Sequence, residues 1–438
     1  MKIAYFSPLN PLKSGISDFS EELLMELKKY VDIDLFVDNI SPSNNEIVKN
    51  FKIYNIEEFD KKEVRDRYDE YIYHVGNNMK CNFKIAQYSL KYPGILELHD
   101  ISLHHMLAEV TLVKGYSEGY VDEMEYCHGN IGKEIAQQFI NGEIREPWED
   151  KSLQFTVNKR YIDKSKAIIV HSDFAKQIIK GISNKPVKKI FLHTNDIESN
   201  YEEIKFQIRK KYNIDLNEII LASFGFVTAP KRILQIIEAL GKLKEDGYNF
   251  KYYIVGEVDK NLNLNEKIKD LHLEKDIIIT GFVNLDEFKE YMKICDICLN
   301  LRYPTQGESS ASLHRILGMG KVTFVSDVGS FKEYPDDVVI KISTDNSETN
   351  DIYINLINII KNKKNIGIKK EKSIQFAKDS CSLEKNAKIY KEFLEVIHNR
   401  NYYESDILDN IADKLYELGI YDHYSIDSIY KKIQLFIN

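Results

Sequence analysis

The sequence predicts an α/β protein built as two doubly wound domains that face each other across a cleft, with extra helices. Three observations predict it. Twelve short apolar runs recur along the 438 residues. Most of them lack the polar alternation of a half-exposed strand, so they are read as buried on both faces. Helix-compatible stretches separate them, the pattern of parallel strands joined by right-handed crossovers.

In the first half the runs are KIAYFS (2–7), IDLFV (33–37), EYIYHV (70–75), GILELH (94–99), AIIVHS (167–172) and KKIFLH (188–193). In the second half they are EIILASF (218–224), KYYIVG (251–256), DIIITG (276–281), CDICLNL (295–301), KVTFVS (321–326) and DVVIKI (337–342). Twelve strands are too many for one small sheet. The polar stretch HTNDIESN breaks the rhythm, which divides the chain into domains over 1–195 and 196–382. Residues 106–160 read as a helical insertion in the first domain. Residues 399–438 read as a helical tail, with Ile407, Leu408, Ile411 and Leu415 on one stripe and Gly419 as its stop. Ligands of such sheets bind beyond the carboxyl ends of the strands, so two facing domains bring both ligand edges to one cleft.

The formal net charge of -8 argues against a nucleic-acid partner. Cysteines 81, 127, 295, 298 and 381 are odd in number and scattered, which is no disulfide framework and fits a reducing cytoplasm. No apolar run reaches the length of a membrane span, and the first residues lack the apolar core of a signal peptide. Lysines 361, 363, 364, 369, 370 and 372 read as a solvated face, with a peripheral contact to the anionic inner face of a membrane as the alternative. DID at 32–34 has the spacing of an acidic metal pair, but Asp34 opens an apolar strand. CDIC at 295–298 lies inside a strand with no second pair, so core packing is expected of it rather than zinc. No G-x-G-x-x-G follows the first strand, against a dehydrogenase.

Strand exits carry the candidate site. The first exits into SPLNPLKSGISDF, where Gly15 stands at a helix mouth that favours anions. The fourth exits at LELHDISLHH. His99 there can donate to a sugar hydroxyl or a phosphate, or simply cap its loop, and His104 and His105 either belong to the site or cover a helix face. After FGFVTAP, Lys231 and Arg232 enter a helix, a pairing suited to a diphosphate. In YPTQGESSASLHRILGMGKV (303–322) a loop marked by Arg302 and Pro304 leads through Gly307 into a helix. Ser309 or Ser310 can cap that helix, the amides around 309–312 can bind phosphate, and Glu308 can accept hydrogen bonds from sugar hydroxyls.

Taken in order over residues 1–398, SGISDFSEELL, YHVGNN, LELHDISLHH, IIVHSDFAKQ, FGFVTAPKR, ITGFVNLDEF and CDICLNLRYPTQGESSASLHRILGMGKVTFVSDVG resemble retaining glycosyltransferases of the GT-B fold, glycosyltransferase family 4 (glycosyl transferases group 1). The resemblance implies two Rossmann-like domains clamping a nucleotide sugar, the first on the acceptor side, the second holding the donor, and a helix over 383–398 returning to the first. It implies His99 and Glu308 as the catalytic residues. Donor binding would fall to Gly15, Lys231, Arg232, Arg302, Gly307, Ser309, Ser310, Ala311, Ser312 and Val283, and the acceptor side to Asn77, Asp100 and His104. A UDP- or GDP-linked sugar would be the co-substrate, with no cofactor and no metal, because Lys231 and helix N-termini would stabilise the leaving diphosphate. A glycan, a lipid-linked carrier or a protein would be the acceptor.

Two positions depart from the family pattern. The arginine of Gly-Arg-x-x-x-x-Lys is Phe226, which leaves Arg232 or Arg302 to supply the second positive charge. Of two glutamates eight positions apart, the first has moved by one to Glu308. The second, which holds the ribose in the family, falls on Arg315, a side chain that cannot accept hydrogen bonds. Two other readings stay open: a non-catalytic partner subunit that binds glycan or stabilises an active transferase, and a sugar-nucleotide epimerase, which needs no acceptor.

Overall fold

Parallel strands buried on both faces need helices above and below them, and the computed structural model, which describes residues 1–197 and 201–399, has that arrangement twice. The first sheet comprises β1 (Lys2–Phe6), β2 (Asp32–Val37), β3 (Lys52–Asn55), β4 (Glu70–Val75), β5 (Ile95–Leu98), β6 (Ala167–Val170) and β7 (Val187–Lys189). The second comprises β8 (Ile219–Phe224), β9 (Phe250–Val255), β10 (Ile277–Gly281), β11 (Ile297–Asn300), β12 (Val322–Ser326) and β13 (Ile340–Ile342). Their orders are β3-β2-β1-β4-β5-β6-β7 and β10-β9-β8-β11-β12-β13, and the strand pairs are parallel. Eleven of the apolar runs become strands over most or part of their length, while in KKIFLH only Lys188 and Lys189 are strand, as the end of β7, and Ile190 to His193 lie beyond it. The addition is β3, whose sequence KIYN lies half-buried at a sheet edge and so has no apolar run to mark it.

Alternation along each strand sends side chains to two cores. Ile3 and Tyr5 of β1 pack with Leu23, Leu24 and Leu27 of the helix Gly15–Leu27, while Ala4 and Phe6 pack with Phe59 and Ile85 on the other face. In the second sheet Leu221 meets Ile236, Ile237 and Leu240, and Ile220 and Ala222 meet Met292 and Ile316. The helix Leu383–His398 joins the core of the first sheet through Leu383, Ala387, Tyr390, Phe393 and Leu394. The helices His104–Val110, Ser117–Ile140, Pro147–Asp150 and Lys159–Lys164 fill the expected insertion. Tyr120, Met124, Ala136, Phe155 and Val157 give it a small core of its own.

Strand order, not direction, reverses between β1 and β4 and between β8 and β11, and these switch points set the site. The turn before Gly15 leaves β1, the Asn77 turn leaves β4, the Lys231 turn leaves β8, and residues 301–310 leave β11.

Asp34 of the DID triplet pairs with Lys2 Nζ at 2.9 Å and accepts from the Tyr68 hydroxyl at 2.9 Å. Cys295 and Cys298 are fully buried, their Sγ atoms 3.3 Å apart. In the basic cluster, Lys369 donates to the Asp336 carbonyl, Lys370 pairs with Glu202 and Lys372 faces Asp337. No helix among the described residues is long and apolar enough to cross a membrane. The tail, from residue 400 onward, lies outside the described residues.

Candidate functional site

Two loops of the first sheet are locked together at the cleft. The Asn77 backbone N–H donates to Asp100 Oδ2 (2.8 Å), and Asn77 Oδ1 accepts from the Met106 N–H (3.0 Å), which ties the exits of β4 and β5 to the helix His104–Val110. Gly15 is the first residue of its helix. Ser14 caps that helix by accepting from the Ile16 N–H at 3.2 Å, and a Cβ built on Gly15 would meet open space.

Opposite, the β11 exit forms a small carboxylate cage. Glu308 Oε1 pairs with Arg302 Nε at 2.9 Å. Its Oε2 accepts from the Gln306 N–H at 2.7 Å and from the Thr305 hydroxyl at 3.1 Å. The Ser330 hydroxyl donates to the Glu308 carbonyl at 2.6 Å. Of the two cap candidates Ser310 is the cap, its Oγ accepting from the Leu313 N–H at 3.2 Å, while Ser309, Ala311 and Ser312 stay half-buried at the helix mouth.

The two edges touch. Gly307 has φ of 80° and lies so close to Ile101 and Leu153 that an added Cβ would approach them to 2.9 and 3.2 Å. The Ser152 hydroxyl reaches the Thr305 carbonyl at 3.4 Å, and Lys13 Nζ sits 4.3 Å over the Phe282 ring. Asp100 registers the approach electrostatically. Burial pushes its carboxyl up to about 6; the charge of Glu308 adds to the rise, while the Asn77 N–H and Arg302 oppose it. Gly307→Ala combines a left-handed backbone with a clash against the opposite edge. It is expected to lower stability by about 1–3 kcal/mol and to displace Glu308, read as a lower melting temperature together with weakened ligand response.

Lys231 donates to the Phe224 carbonyl. Its ammonium is held well below the usual lysine value by burial and by neighbouring Arg302, and no carboxylate among the described residues pairs with it. Arg232 goes elsewhere. It adopts φ of 59° and its Nε meets both Glu348 oxygens at 3.1 and 2.9 Å, so of the basic side chains Lys231 and Arg302 are the two near each other. His104 is also turned away from the cleft, hydrogen-bonded at 2.8 Å to the Phe155 carbonyl and at 2.8 Å to the Tyr120 hydroxyl inside the insertion. Val283 is half-buried against the core beside Phe224, whereas Phe226 and Phe282 are exposed.

His99 belongs to a larger buried group that the sequence reading did not assemble. His99 Nε2 meets His74 Nδ1 at 3.0 Å, and His74 Nε2 lies 3.5 Å from Glu97 Oε2. Glu97 Oε1 accepts from the Tyr390 hydroxyl at 2.6 Å and faces His171 Nε2 at 3.5 Å. Burial pushes the Glu97 carboxyl up to about 8 and holds His74 and His99 well below the ordinary histidine value, and His171 at about 4. His74, Glu97 and His99 also bring three ligand atoms within 4.8 Å of one another, close enough for a cation to bridge. The sequence signal was present: a Glu and three His placed in or directly after three apolar runs.

Arg315 lies deeper. Its guanidinium pairs with Glu22 Oε1 at 2.7 Å and Asp196 Oδ2 at 2.5 Å, and Lys289 joins Asp196 at 3.0 Å. Burial works to raise the Glu22 carboxyl, but His193 and Arg315 outweigh it and bring it down to about 2. The side chain in the family's ribose register is thus an ion-pair partner of the helix Gly15–Leu27.

Residues 204–380 match the family described as glycosyl transferases group 1. An uncharacterized glycosyltransferase of Methanocaldococcus jannaschii is 28% identical over 137 residues, 30% of this chain and 35% of that protein, so the match spans about a third of the relative. Among solved structures, sucrose-phosphate synthase from Thermosynechococcus elongatus aligns with a TM-score of 0.63 at 12% identity, covering 90% of this chain and 100% of that one. HepE from Anabaena, in complex with UDP and glucose, gives 0.61 at 13%, covering 90% and 99%. WaaG, a glycosyltransferase involved in lipopolysaccharide biosynthesis, gives 0.57 at 12%, covering 90% and 99%. At these identities the likeness shows the fold, the GT-B arrangement of two parallel α/β sheets with surrounding helices.

Proposed function

We propose that the protein is a retaining glycosyltransferase that moves a sugar from a nucleotide donor to a hydroxyl acceptor, a reading supported by the match of residues 204–380 to glycosyl transferases group 1 and by the GT-B fold. One observation carries the reading: Lys231 and Arg302 lie together at the β8 and β11 exits, and Lys231 has no carboxylate partner among the described residues. A diphosphate is the anion that fits this pair, and we assign the helix mouth at Gly15, where an added Cβ would meet open space, to the same ligand. In the transfer, the bond from the anomeric carbon to a phosphate oxygen breaks, a bond to the acceptor oxygen forms, and the acceptor hydroxyl proton passes to the departing diphosphate. Lys231 and Arg302 stabilise the charge on the departing diphosphate, which is the metal-independent route. Glu308 and His99 flank the donor sugar, and Asp100 with Asn77 forms the acceptor side. We take the donor half as 196–382 and the acceptor half as 1–195. HepE binds UDP and glucose, which supports a UDP-linked donor over a GDP-linked one. The acceptor is a glycan, a lipid-linked carrier or a protein.

The test is a thermal-shift screen of the purified chain against UDP- and GDP-linked sugars, followed by transfer assays with the responding donor. At least one donor is expected to raise the melting temperature. Lys231→Ala should remove most of that shift and reduce transfer by about 100-fold or more, as for other lost stabilisers of a developing anion. The proposal fails if no nucleotide sugar binds and both Lys231→Ala and Glu308→Ala leave transfer unchanged. Arg315 favours a second reading, a non-catalytic partner subunit, because its ion pairs occupy the residue that holds ribose in the family. Turnover by the isolated chain excludes that reading.

A further inference from the structure

We infer that His74, Glu97 and His99 form a binding site for a divalent transition-metal ion of the zinc class, built on the strands of the first sheet. Each residue offers one ligand atom, and these atoms lie within 4.8 Å of one another. His74 Nδ1 and His99 Nε2 are 3.0 Å apart, His74 Nε2 and Glu97 Oε2 3.5 Å, and His99 Nε2 and Glu97 Oε1 3.8 Å. Ligand atoms about 2.0–2.2 Å from a tetrahedral zinc ion stand about 3.3–3.6 Å from each other. The separations straddle that range, so small side-chain rotations complete the site. His74 presents a nitrogen to each of the other two residues, and one of the two serves as its ligand atom.

The fold sets this geometry from the backbone outward. His74 and Glu97 are register partners on β4 and β5, and the His99 N–H extends the ladder to the Val75 carbonyl at 2.9 Å. Because His99 follows Glu97 by two positions, strand alternation puts all three side chains on one face of the sheet. Their rings are packed in place: the centroid of His74 lies 4.4 Å from that of Tyr5, and the centroid of His99 5.1 Å from that of Phe19. Ligands carried on strands and wedged by aromatic rings are held with the precision a metal centre needs. The His99 side chain is 9% exposed while those of His74 and Glu97 are fully buried, so an ion enters past His99.

Two observations independent of these distances point to a cation. Glu97 Oε2, His74 Nε2 and His171 Nε2 are buried and have no hydrogen-bond partner among the described residues, a state that buried polar atoms rarely keep. Glu97 is also completely buried, and among the described residues only histidines and Tyr390 face its oxygens, with no arginine or lysine paired to it. A divalent ion supplies that positive charge. Two imidazoles and a carboxylate suit zinc, whereas magnesium and calcium take oxygen ligands. The outer contacts have the form that orients metal ligands. The Tyr390 hydroxyl donates to Glu97 Oε1 at 2.6 Å. His171 Nδ1 donates to the Ile190 carbonyl at 2.9 Å, which leaves its Nε2 lone pair facing Glu97 Oε1 at 3.5 Å, on the side from which a fourth ligand can come. The ion sits on the first sheet, whereas Lys231 and Arg302 belong to the second, so it replaces neither of them.

The test takes the full chain, strips it with a chelator, and titrates it with zinc chloride against a chromophoric zinc indicator. One equivalent of zinc is expected to bind with micromolar affinity or tighter, with no competition from magnesium. His99→Ala should remove that equivalent. Tyr390→Phe keeps the ring and deletes only the hydroxyl that orients Glu97, and it should weaken zinc by about 10–100-fold. The second variant decides the matter if His99→Ala does not fold. The site is overturned if wild type binds no stoichiometric zinc, or if His99→Ala and Tyr390→Phe both bind it as tightly as wild type, which would place the ion elsewhere. Binding is read without donor or acceptor. A chain that binds zinc here and transfers no sugar therefore refutes the transferase reading alone, and an active transferase that binds none refutes the metal site alone.

Discussion

Acidification from pH 7 to 5 will unfold the protein. His74, His99, His104, His171, His193 and His314 are buried, and burial lowers the value of each, to about 4 for His171 and about 3 for His104 and His314. A histidine held neutral in the fold takes up its proton only on unfolding, so stability falls as pH drops below the ordinary value of about 6.5. Each such group removes at most about 2 kcal/mol between pH 7 and 5. Glu97 and Asp100 act in the opposite sense. Their folded values, about 8 and about 6, lie above those of the unfolded chain, so their contribution is present at low pH and lost as pH rises through those values. Glu22, at about 2, matters only below about pH 4.5. Six histidines outnumber two carboxyls, so the net change runs toward loss of stability on acidification, against a total of about 5–15 kcal/mol for a typical domain. Near-UV circular dichroism should show a cooperative loss with a midpoint between pH 5 and 6, and native signal persisting at pH 4.5 would refute the argument.

Arg315→Ala will cost about 3–5 kcal/mol, the range for removing one partner from a buried ion pair. The arginine side chain is 8% exposed, and its loss leaves, among the described residues, Glu22 with His193 and Asp196 with Lys289 as ion-pair partners. Arg315→Glu, which restores the residue of the family pattern, is expected to be worse still. It places a third carboxylate between Glu22 and Asp196 and should give insoluble protein rather than recovered ribose recognition. Urea denaturation measures the first effect. The cycle with Glu22→Gln isolates the pairwise share, because residues within one network do not add. A melting curve of Arg315→Ala that overlays wild type would sink this account.

These two results also mark where the sequence stops being readable. The strands were legible because both faces of each are buried, which writes a continuous apolar run into the chain. β3 was not, since an edge strand of four residues needs no such run. The positions of Gly15, Lys231 and Glu308 were legible because each follows a strand at its carboxyl end. Arg232 reads identically to Lys231 in the sequence, yet a positive φ at the helix entrance turns it toward Glu348, 116 residues away. Arg315 finds Glu22 across 293 positions and Asp196 across 119, and no local pattern encodes such distances. The His74–Glu97–His99 line was hidden for a related reason: neighbouring β4 and β5 put His74 and Glu97 in register, while their spacing in the chain is 23 residues.

The helix Leu383–His398 imposes an order in time on the chain. Leu24 and Leu27 face Tyr390 and Leu394, so the first sheet lacks part of its apolar cover until residues near the end of the described chain have been synthesised. The amino-terminal half therefore leaves the ribosome with an open greasy face and waits through some two hundred further residues before it can close. Contacts of such long sequence separation make for slow completion and a prolonged need for chaperone protection. A second sheet that folds promptly, since the buried residues of its largest core run from Leu221 to Ile359, shortens that wait by bringing the final helix back to where it began.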